Sequence, residues 1–287
     1  MISLPYNLPI LKLLLVLTAA FASNFAYADT LIAQSQSPFG RVFVVDVAST
    51  GERVLRFGDP QGADQSAILL KRPRYAPVDY VRVLTAGIAI PPMSEKALVI
   101  GMGGGLLSNM LLLVHPTLRL ESVEIDPIVV SYARKFFGLK EPSRHAVTVD
   151  DGYAFVTKAQ AHDIRFDYII LDAYAGDDIP PALATKDFFK KALGRLTKKG
   201  VLGVNLALED ETEEGLFFQR LRALSSRCRF VRTEGGNLVV FLGGSPRALL
   251  RAKRLDKGKA LEFSLLQELQ ALRPCAQGLA YSFEQSL

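Results

Sequence analysis

The chain has 287 residues, 49% hydrophobic and 22% charged, with a mean hydropathy of +0.20; it can bury a full core and is neither disordered nor fibrous. Its 34 Lys+Arg against 29 Asp+Glu leave a formal charge of +5, too small and too evenly spread to mark a nucleic-acid binder, so no nucleic-acid partner is expected. Three His and two Cys argue against a histidine-rich metal site, a four-cysteine zinc site or an iron–sulfur cluster, and no metal is expected.

The first 28 residues stand apart. Lys12 is the only side-chain cation in an apolar segment whose core is residues 13–22, and Ala26-Tyr27-Ala28 supplies the small-x-small pattern read by signal peptidase. Residues 1–28 are read as a cleaved signal peptide that exports the chain to the periplasm or the exterior. The competing reading is an uncleaved membrane anchor, although the apolar stretch is interrupted by Lys12 and Asn24 and is short for a span of ~20 residues. Export places Cys228 and Cys275 where they can pair, but their spacing alone does not show a bond.

Residues 29–38 are polar and read as a linker. Two β-rich runs, 41–47 and 52–57, flank Ser49-Thr50-Gly51 and read as a hairpin. Residues 58–77, broken by Gly and Pro, read mostly as loop leading to a helix over 78–90. Residues 29–90 thus form a small N-terminal β-hairpin domain with a linker helix.

From residue 91 to 245 short β-branched runs alternate with amphipathic stretches, the pattern of a doubly wound, mostly parallel α/β sheet. Strands are expected at 97–100, 118–125, 146–149, 166–171 and 201–206, and helices at 106–114, 128–137, 153–159, 186–196 and 212–225. Runs 229–233 and 238–242 around Gly235-Gly236-Asn237 predict a closing antiparallel hairpin. Residues 246–287 read as a basic helical extension: over 247–259, six Lys and Arg face Asp256 alone. The ordinary reading is a solvated helix face; an anionic or membrane-surface partner is the alternative.

Four elements carry chemistry. Gly101-Met102-Gly103-Gly104-Gly105 follows a strand and opens a helix, where Gly101, Gly103 and Gly105 allow a tight turn and close approach of a ligand. The dinucleotide pattern GxGxxG fails at Leu106, and the loop fits the GxGxG of S-adenosylmethionine enzymes better. Glu124 ends the next strand about 20 residues on, the place of a ribose-binding acid, whereas Asp126, just before Pro127, reads as a helix cap. Asp151 and Gly152, preceded by Asp150, close the third strand and are candidates for the adenine end, with helix capping as the competing role of the acid. Asp172 closes the strand 166–171. All lie at carboxyl ends of parallel strands, where open α/β sheets bind ligands.

With Leu183-Ala184-Thr185-Lys186-Asp187-Phe188-Phe189, these motifs resemble the spermidine synthase (polyamine aminopropyltransferase) family over residues 38–243. Gly58 and Gln61 resemble that family's Gly-x-x-Gln element. The resemblance implies a Rossmann-like class I methyltransferase fold. It also implies that no prosthetic group is needed: decarboxylated S-adenosylmethionine, or S-adenosylmethionine, is the co-substrate, Asp172 the catalytic base, and Gly101, Gly103, Gly105, Glu124, Asp151, Gly152 and Gln61 bind the nucleoside. The partner is a small amine, and the family leaves room for a homo-oligomer. The chain departs from the pattern at Gly104, where the family loop carries Asp, at Ala175, where it carries a second acid, and at Val78-Asp79-Tyr80, where it carries Tyr-His-Glu. The nucleoside half of the site matches and the polyamine half does not, since a buried dication needs carboxylates at its distal ammonium. Asp177 and Asp178 are candidates to replace the lost acids, and Tyr174 either orients the acceptor or packs on the nucleoside. A methyltransferase, or an exported non-catalytic nucleoside- or polyamine-binding protein, are the alternatives.

Overall fold

The structure, a computed structural model, describes residues 28–158, 164–174, 179–207, 211–245 and 247–277. The expected signal peptide, but for Ala28, and the pair Asp177 and Asp178 lie outside the described residues.

The chain opens with an antiparallel sheet of four strands in sequential order: β1 (Thr30–Ser37), β2 (Gly40–Val47), β3 (Glu52–Phe57) and β4 (Asp64–Leu69). Only β2 and β3 were legible as the expected hairpin. The linker expected at 29–38 is instead β1, paired with β2 from Thr30↔Asp46 to Ser37↔Gly40, and the loop expected at 58–77 contains β4. Both outer strands are half-exposed and lack a clean period-two pattern, which is why composition alone read them as irregular. The helix expected at 78–90 is α1 (Asp79–Ala86) followed by a 3₁₀ turn, Gly87–Ala89.

Next comes an α/β sheet built from β5 (Lys96–Ile100), α2 (Leu106–Val114), β6 (Arg119–Glu124), α3 (Pro127–Phe136), β7 (His145–Val149), α4 (Gly152–Lys158), β8 (Phe166–Leu171), α5 (Lys186–Gly194), β9 (Leu196–Leu206) and α6 (Glu211–Arg222). It closes with β10 (Cys228–Arg232) and β11 (Leu238–Gly243). The strands β5 to β9 are parallel; β11 runs antiparallel against β9, and β10 pairs antiparallel with β11. In sheet order the chain runs β5, β6, β7 to one side and then β8, β9, β11, β10 to the other. The direction of winding therefore reverses between β5 and β8, and a crevice opens where the loops after those strands part.

Local sequence explains the core of this layer. Lys96–Ile100 and Phe166–Leu171 are almost wholly buried because helices cover both faces, as parallel strands require. Asp126 caps α3 by accepting the Ile128 N–H at 2.8 Å, with Pro127 in the first turn, and Thr185 caps α5 by accepting from Phe188 N at 3.1 Å. Val42, Val44 and Leu55 of the first sheet pack on Val129, Tyr132 and Phe137, so the small sheet is seated on α3 and the end of that helix.

The extension is more than a basic helix. After α7 (Ala248–Asp256) come α8 (Leu265–Gln270) and β12 (Arg273–Pro274), which adds an eighth strand to the large sheet beside β10. A disulfide between Cys228 and Cys275, 47 residues apart, ties that edge. The cations of α7 include exposed Lys253 and Arg254, while Arg251 turns inward and donates to the carbonyls of Ala89 (2.7 Å) and Ile90 (2.5 Å). Among the described residues no helix is long and apolar enough to cross a membrane.

Candidate active site

A cavity of about 360 Å³ lies over the β5/β8 crevice, and its wall combines loops of the large sheet with β4 of the small one. Gly101 leaves β5 at φ +84°, a conformation suited to glycine, and a Cβ there would come within 2.6 Å of the Ala173 Cα. The two chain segments that leave adjacent strands can therefore pass in contact only because position 101 has no side chain. Gly152 has a parallel reason: a Cβ would stand 2.5 Å from Ile100 Cγ2.

Glu124 ends β6 beside this loop and is buried. Its Oε2 accepts the N–H groups of Met102 (3.1 Å) and Gly103 (3.0 Å), and its Oε1 accepts that of Asp126 (3.1 Å). Burial raises its pKa, the N–H bonds from Gly103 and Asp126 oppose that rise, and the Asp126 charge adds to it. Gly105, also at positive φ, precedes α2 and does not line the cavity. At the far end of the crevice Asp150, Asp151 and Gly152 line the wall with Ile125 and Leu183. Asp150 pairs with Lys158 at 3.2 Å, and Asp151 accepts the Ala154 N–H at 2.7 Å, so both carboxylates have structural partners as well as a face on the cavity.

Asp172 stands at the end of β8, its backbone N–H bonded to the Ile100 carbonyl at 2.9 Å. Its Oδ1 accepts from Asn205 Nδ2 at 2.9 Å, and the Tyr80 hydroxyl also hydrogen-bonds the carboxylate. Burial lifts the Asp172 carboxyl to about 6, against the pull of those two hydrogen bonds, and the Glu124 charge adds to the lift. Burial and the Asp172 charge push the hydroxyls of Tyr80 and Tyr174 above their usual range, so both stay protonated donors. Tyr174 donates to the Asn205 carbonyl (2.8 Å) and accepts from Ala207 N (2.7 Å), closing the wall behind Asp172.

Of the residues expected from sequence, Gly101, Gly103, Glu124, Asp151, Gly152 and Asp172 meet on this one cavity. Gln61 does not: it is exposed, its backbone N–H is bonded to Asp59 at 2.7 Å, and the cavity is lined instead by Gln65 and Ser66 of β4. The bulge that shifts register between Leu55 and Arg56 and the Arg56–Asp64 ion pair, 2.6 Å, set where β4 begins, and spacing from Gly58 could not reveal that. Ser66 Oγ accepts the Gly104 N–H at 2.8 Å, and a Cβ on Gly104 would lie 3.0 Å from Ser66 Cβ and 3.1 Å from Phe137 Cδ1. The acid missing from that loop position would thus have to displace Ser66 or Phe137. Sequence reading also passed over Asn205 and Asn237. The signal for Asn205 was a lone amide in the buried run Val201 to Leu206, since a polar side chain in such a strand needs a partner.

The comparisons agree with this architecture. Residues 84–224 match the spermine/spermidine synthase domain. The chain is 31% identical over 205 residues to a polyamine aminopropyltransferase of Vibrio vulnificus, covering 67% of this chain and 65% of that protein. It is 33% identical over 156 residues to an eEF1A lysine and N-terminal methyltransferase homolog of Drosophila pseudoobscura pseudoobscura, covering 52% of this chain and 23% of that one. The chain thus spans just under two thirds of the first relative and about a quarter of the second. Among solved structures, a spermidine synthase in complex with the transition-state analogue AdoDATO superposes with a TM-score of 0.64 at 18% identity, over 84% of each chain, and shares the fold.

Proposed function

We propose that this chain, which carries a spermine/spermidine synthase domain and is homologous to polyamine aminopropyltransferases, is a transferase that moves an aminopropyl group from decarboxylated S-adenosylmethionine to a small amine. The observation that carries the reading is the position of Asp172: a half-buried carboxylate, held by Tyr80 and Asn205, on the same cavity as Glu124. In this reading the ribose hydroxyls donate to Glu124, whose carboxylate is already fixed by backbone N–H groups, and the adenine end lies toward Asp151 and Gly152. Charge-assisted bonds of this kind contribute about 1.5–3 kcal/mol each.

The chemistry follows from those positions. A primary amine of pKa ~10 is protonated at neutral pH and has no lone pair to attack with. Asp172 accepts its proton; the freed nitrogen then attacks the carbon bound to the sulfonium in line, the C–N bond forms, and the C–S bond breaks. Its electron pair stays on sulfur and methylthioadenosine leaves. Because the Asp172 carboxyl lies at about 6 rather than near 4, the proton transfer is less uphill than to an ordinary aspartate. Proximity supplies much of the remaining rate, as both substrates are held in one cavity.

Methyl transfer from S-adenosylmethionine on the same scaffold is the second reading. It is favoured by the methyltransferase relative and by the residues around Asp172: Gln65, Ser66, Tyr80, Tyr174, Asn205 and Asn237 are neutral, and Asp64, which also lines the cavity, is paired with Arg56 at 2.6 Å. We further propose that the protein is exported by residues 1–28; the Cys228–Cys275 bond supports this, since structural disulfides persist in oxidising compartments. The functional test is release of methylthioadenosine from decarboxylated S-adenosylmethionine in the presence of a panel of amines. Amine-dependent release that is lost in Asp172→Asn, with nucleoside affinity retained, is expected; release independent of both amine and Asp172 would contradict the reading.

A further inference from the structure

The hydrogen bonds that hold Asp172 do not end at Asn205. The turn between β10 and β11 is closed by Thr233 N on the Asn237 carbonyl (2.8 Å) and Gly236 N on the Thr233 carbonyl (3.1 Å), and it lies over the crevice. From it Asn237 Nδ2 donates to Asn205 Oδ1 at 3.0 Å, and Asn205 Nδ2 donates to Asp172 Oδ1 at 2.9 Å. The same turn reaches the other partner of Asp172: Gly235 N donates to Asp79 Oδ2 at 2.6 Å, and Asp79 Oδ1 accepts the backbone N–H of Tyr80 at 2.7 Å. One glycine turn is therefore tied to both groups that touch the carboxylate.

We propose that Asn237 is a positioning residue for the group transfer: its amide N–H fixes the orientation of Asn205, which then presents an N–H and not a carbonyl to Asp172. This rests on the reading of Asp172 as the group that takes the amine's proton. An asparagine amide has a donor end and an acceptor end of nearly equal size, so hydrogen bonding and not shape decides which way it faces. The Asn205 backbone is pinned by Tyr174, whose hydroxyl bonds both its carbonyl and Ala207 N, which leaves the side-chain amide as the free variable. With Asn237 donating to Asn205 Oδ1, the Nδ2 end must face Asp172. Without that donor the amide can turn, and its oxygen then faces the carboxylate, which is relieved only if Asp172 keeps a proton. The other groups that act on Asp172 are Tyr80 from α1, Glu124 from β6, and Tyr168 and Tyr174 from β8 and the loop after it. The tyrosines are neutral donors and Glu124 is like-charged, so no cation among these groups compensates for a lost N–H. Asn237 thus keeps the base in its ionised, proton-accepting form while standing one residue away from contact with it.

The test reads Asp172 directly. In ¹³C-labelled protein the Asp172 carboxyl resonance, assigned by its disappearance in Asp172→Asn, is titrated from pH 4 to 9 in the parent, in Asn237→Leu, which keeps the branched skeleton and removes the donor, and in Asn237→Ala. Both variants are expected to move the midpoint upward by roughly half to one unit, to retain the affinity for methylthioadenosine, and to carry the acid limb of turnover with them; Asn237→Gln, which restores a donor, is expected to return part of the shift. An unchanged midpoint in both variants would overturn the proposal. The titration needs no turnover, so a protein inactive with every donor would refute the functional reading and still leave the role of Asn237 decided by the midpoint.

Discussion

Asp172 is the residue at which structure and chemistry meet most closely, and its environment makes two linked predictions. Its folded carboxyl, at about 6, lies above the ordinary 3.8, so the native state binds the proton more tightly than the unfolded chain does. The contribution to stability is therefore greatest below pH ~4 and is lost as pH rises to ~6, a difference of about 2–3 kcal/mol at neutral pH. Asp172→Asn should unfold at higher urea than the parent at pH 8 and at nearly the same urea at pH 3.5, while turnover falls at least ~100-fold; equal stability of the two proteins at pH 8 would contradict the raised value. For Glu124, Glu124→Gln should weaken nucleoside binding by about 10–100-fold, read by calorimetry, because a neutral amide accepts fewer and weaker bonds from the ribose and the glycine loop. These two acids were legible in the sequence because each closes a β-branched run, and strand ends are where such sheets carry ligands. Asn205 was not, and Tyr80 stood out only as a departure from the family's Tyr-His-Glu, because their importance comes from what faces them across the crevice: Tyr80 arrives from a helix 92 positions before Asp172, and Asn205 from the neighbouring strand.

Elements whose sequence had a single physical reading were found where expected, and the edge strands β1, β4 and β12 were not. Leu106–Val114 is an apolar helix buried on nearly all sides, and Phe166–Leu171 is a strand covered on both faces; neither pattern has a competing interpretation. The edge strands β1, β4 and β12 are short or half-exposed, and what makes them strands is the partner beside them. At this scale the loop after β5 gives a sharp test: Gly101→Ala must place a Cβ against the Ala173 backbone at positive φ, and a loss of about 2–4 kcal/mol is expected in urea unfolding. The edge at β12 gives another. Its disulfide closes a 47-residue separation, for which chain entropy predicts up to about 4 kcal/mol. Reductant, or Cys275→Ala, should lower the melting temperature while leaving nucleoside affinity unchanged, since the bond lies at the edge of the sheet opposite β7 and outside the cavity lining.

In the whole molecule two sheets share one site. The large sheet supplies the glycine loop and the acids at its strand ends, and the small one supplies Gln65 and Ser66, with Ser66 bonded to Gly104 of that loop. The small sheet thus forms part of the cavity wall, and the point at which β4 begins decides which glutamine reaches it. Export makes a separate prediction: protein recovered from outside the cytoplasm should begin at Asp29, whereas recovery of an N-terminus at Met1 would mark residues 1–28 as an anchor. The central claim is that this cavity takes a sulfonium nucleoside without its amino-acid carboxylate and passes on its aminopropyl group. It is tested most directly by calorimetry of the purified protein with decarboxylated S-adenosylmethionine, S-adenosylmethionine and methylthioadenosine. Tighter binding of the decarboxylated donor than of S-adenosylmethionine, with methylthioadenosine also bound, is the result expected; preference for intact S-adenosylmethionine, or no binding of any of the three, would contradict it.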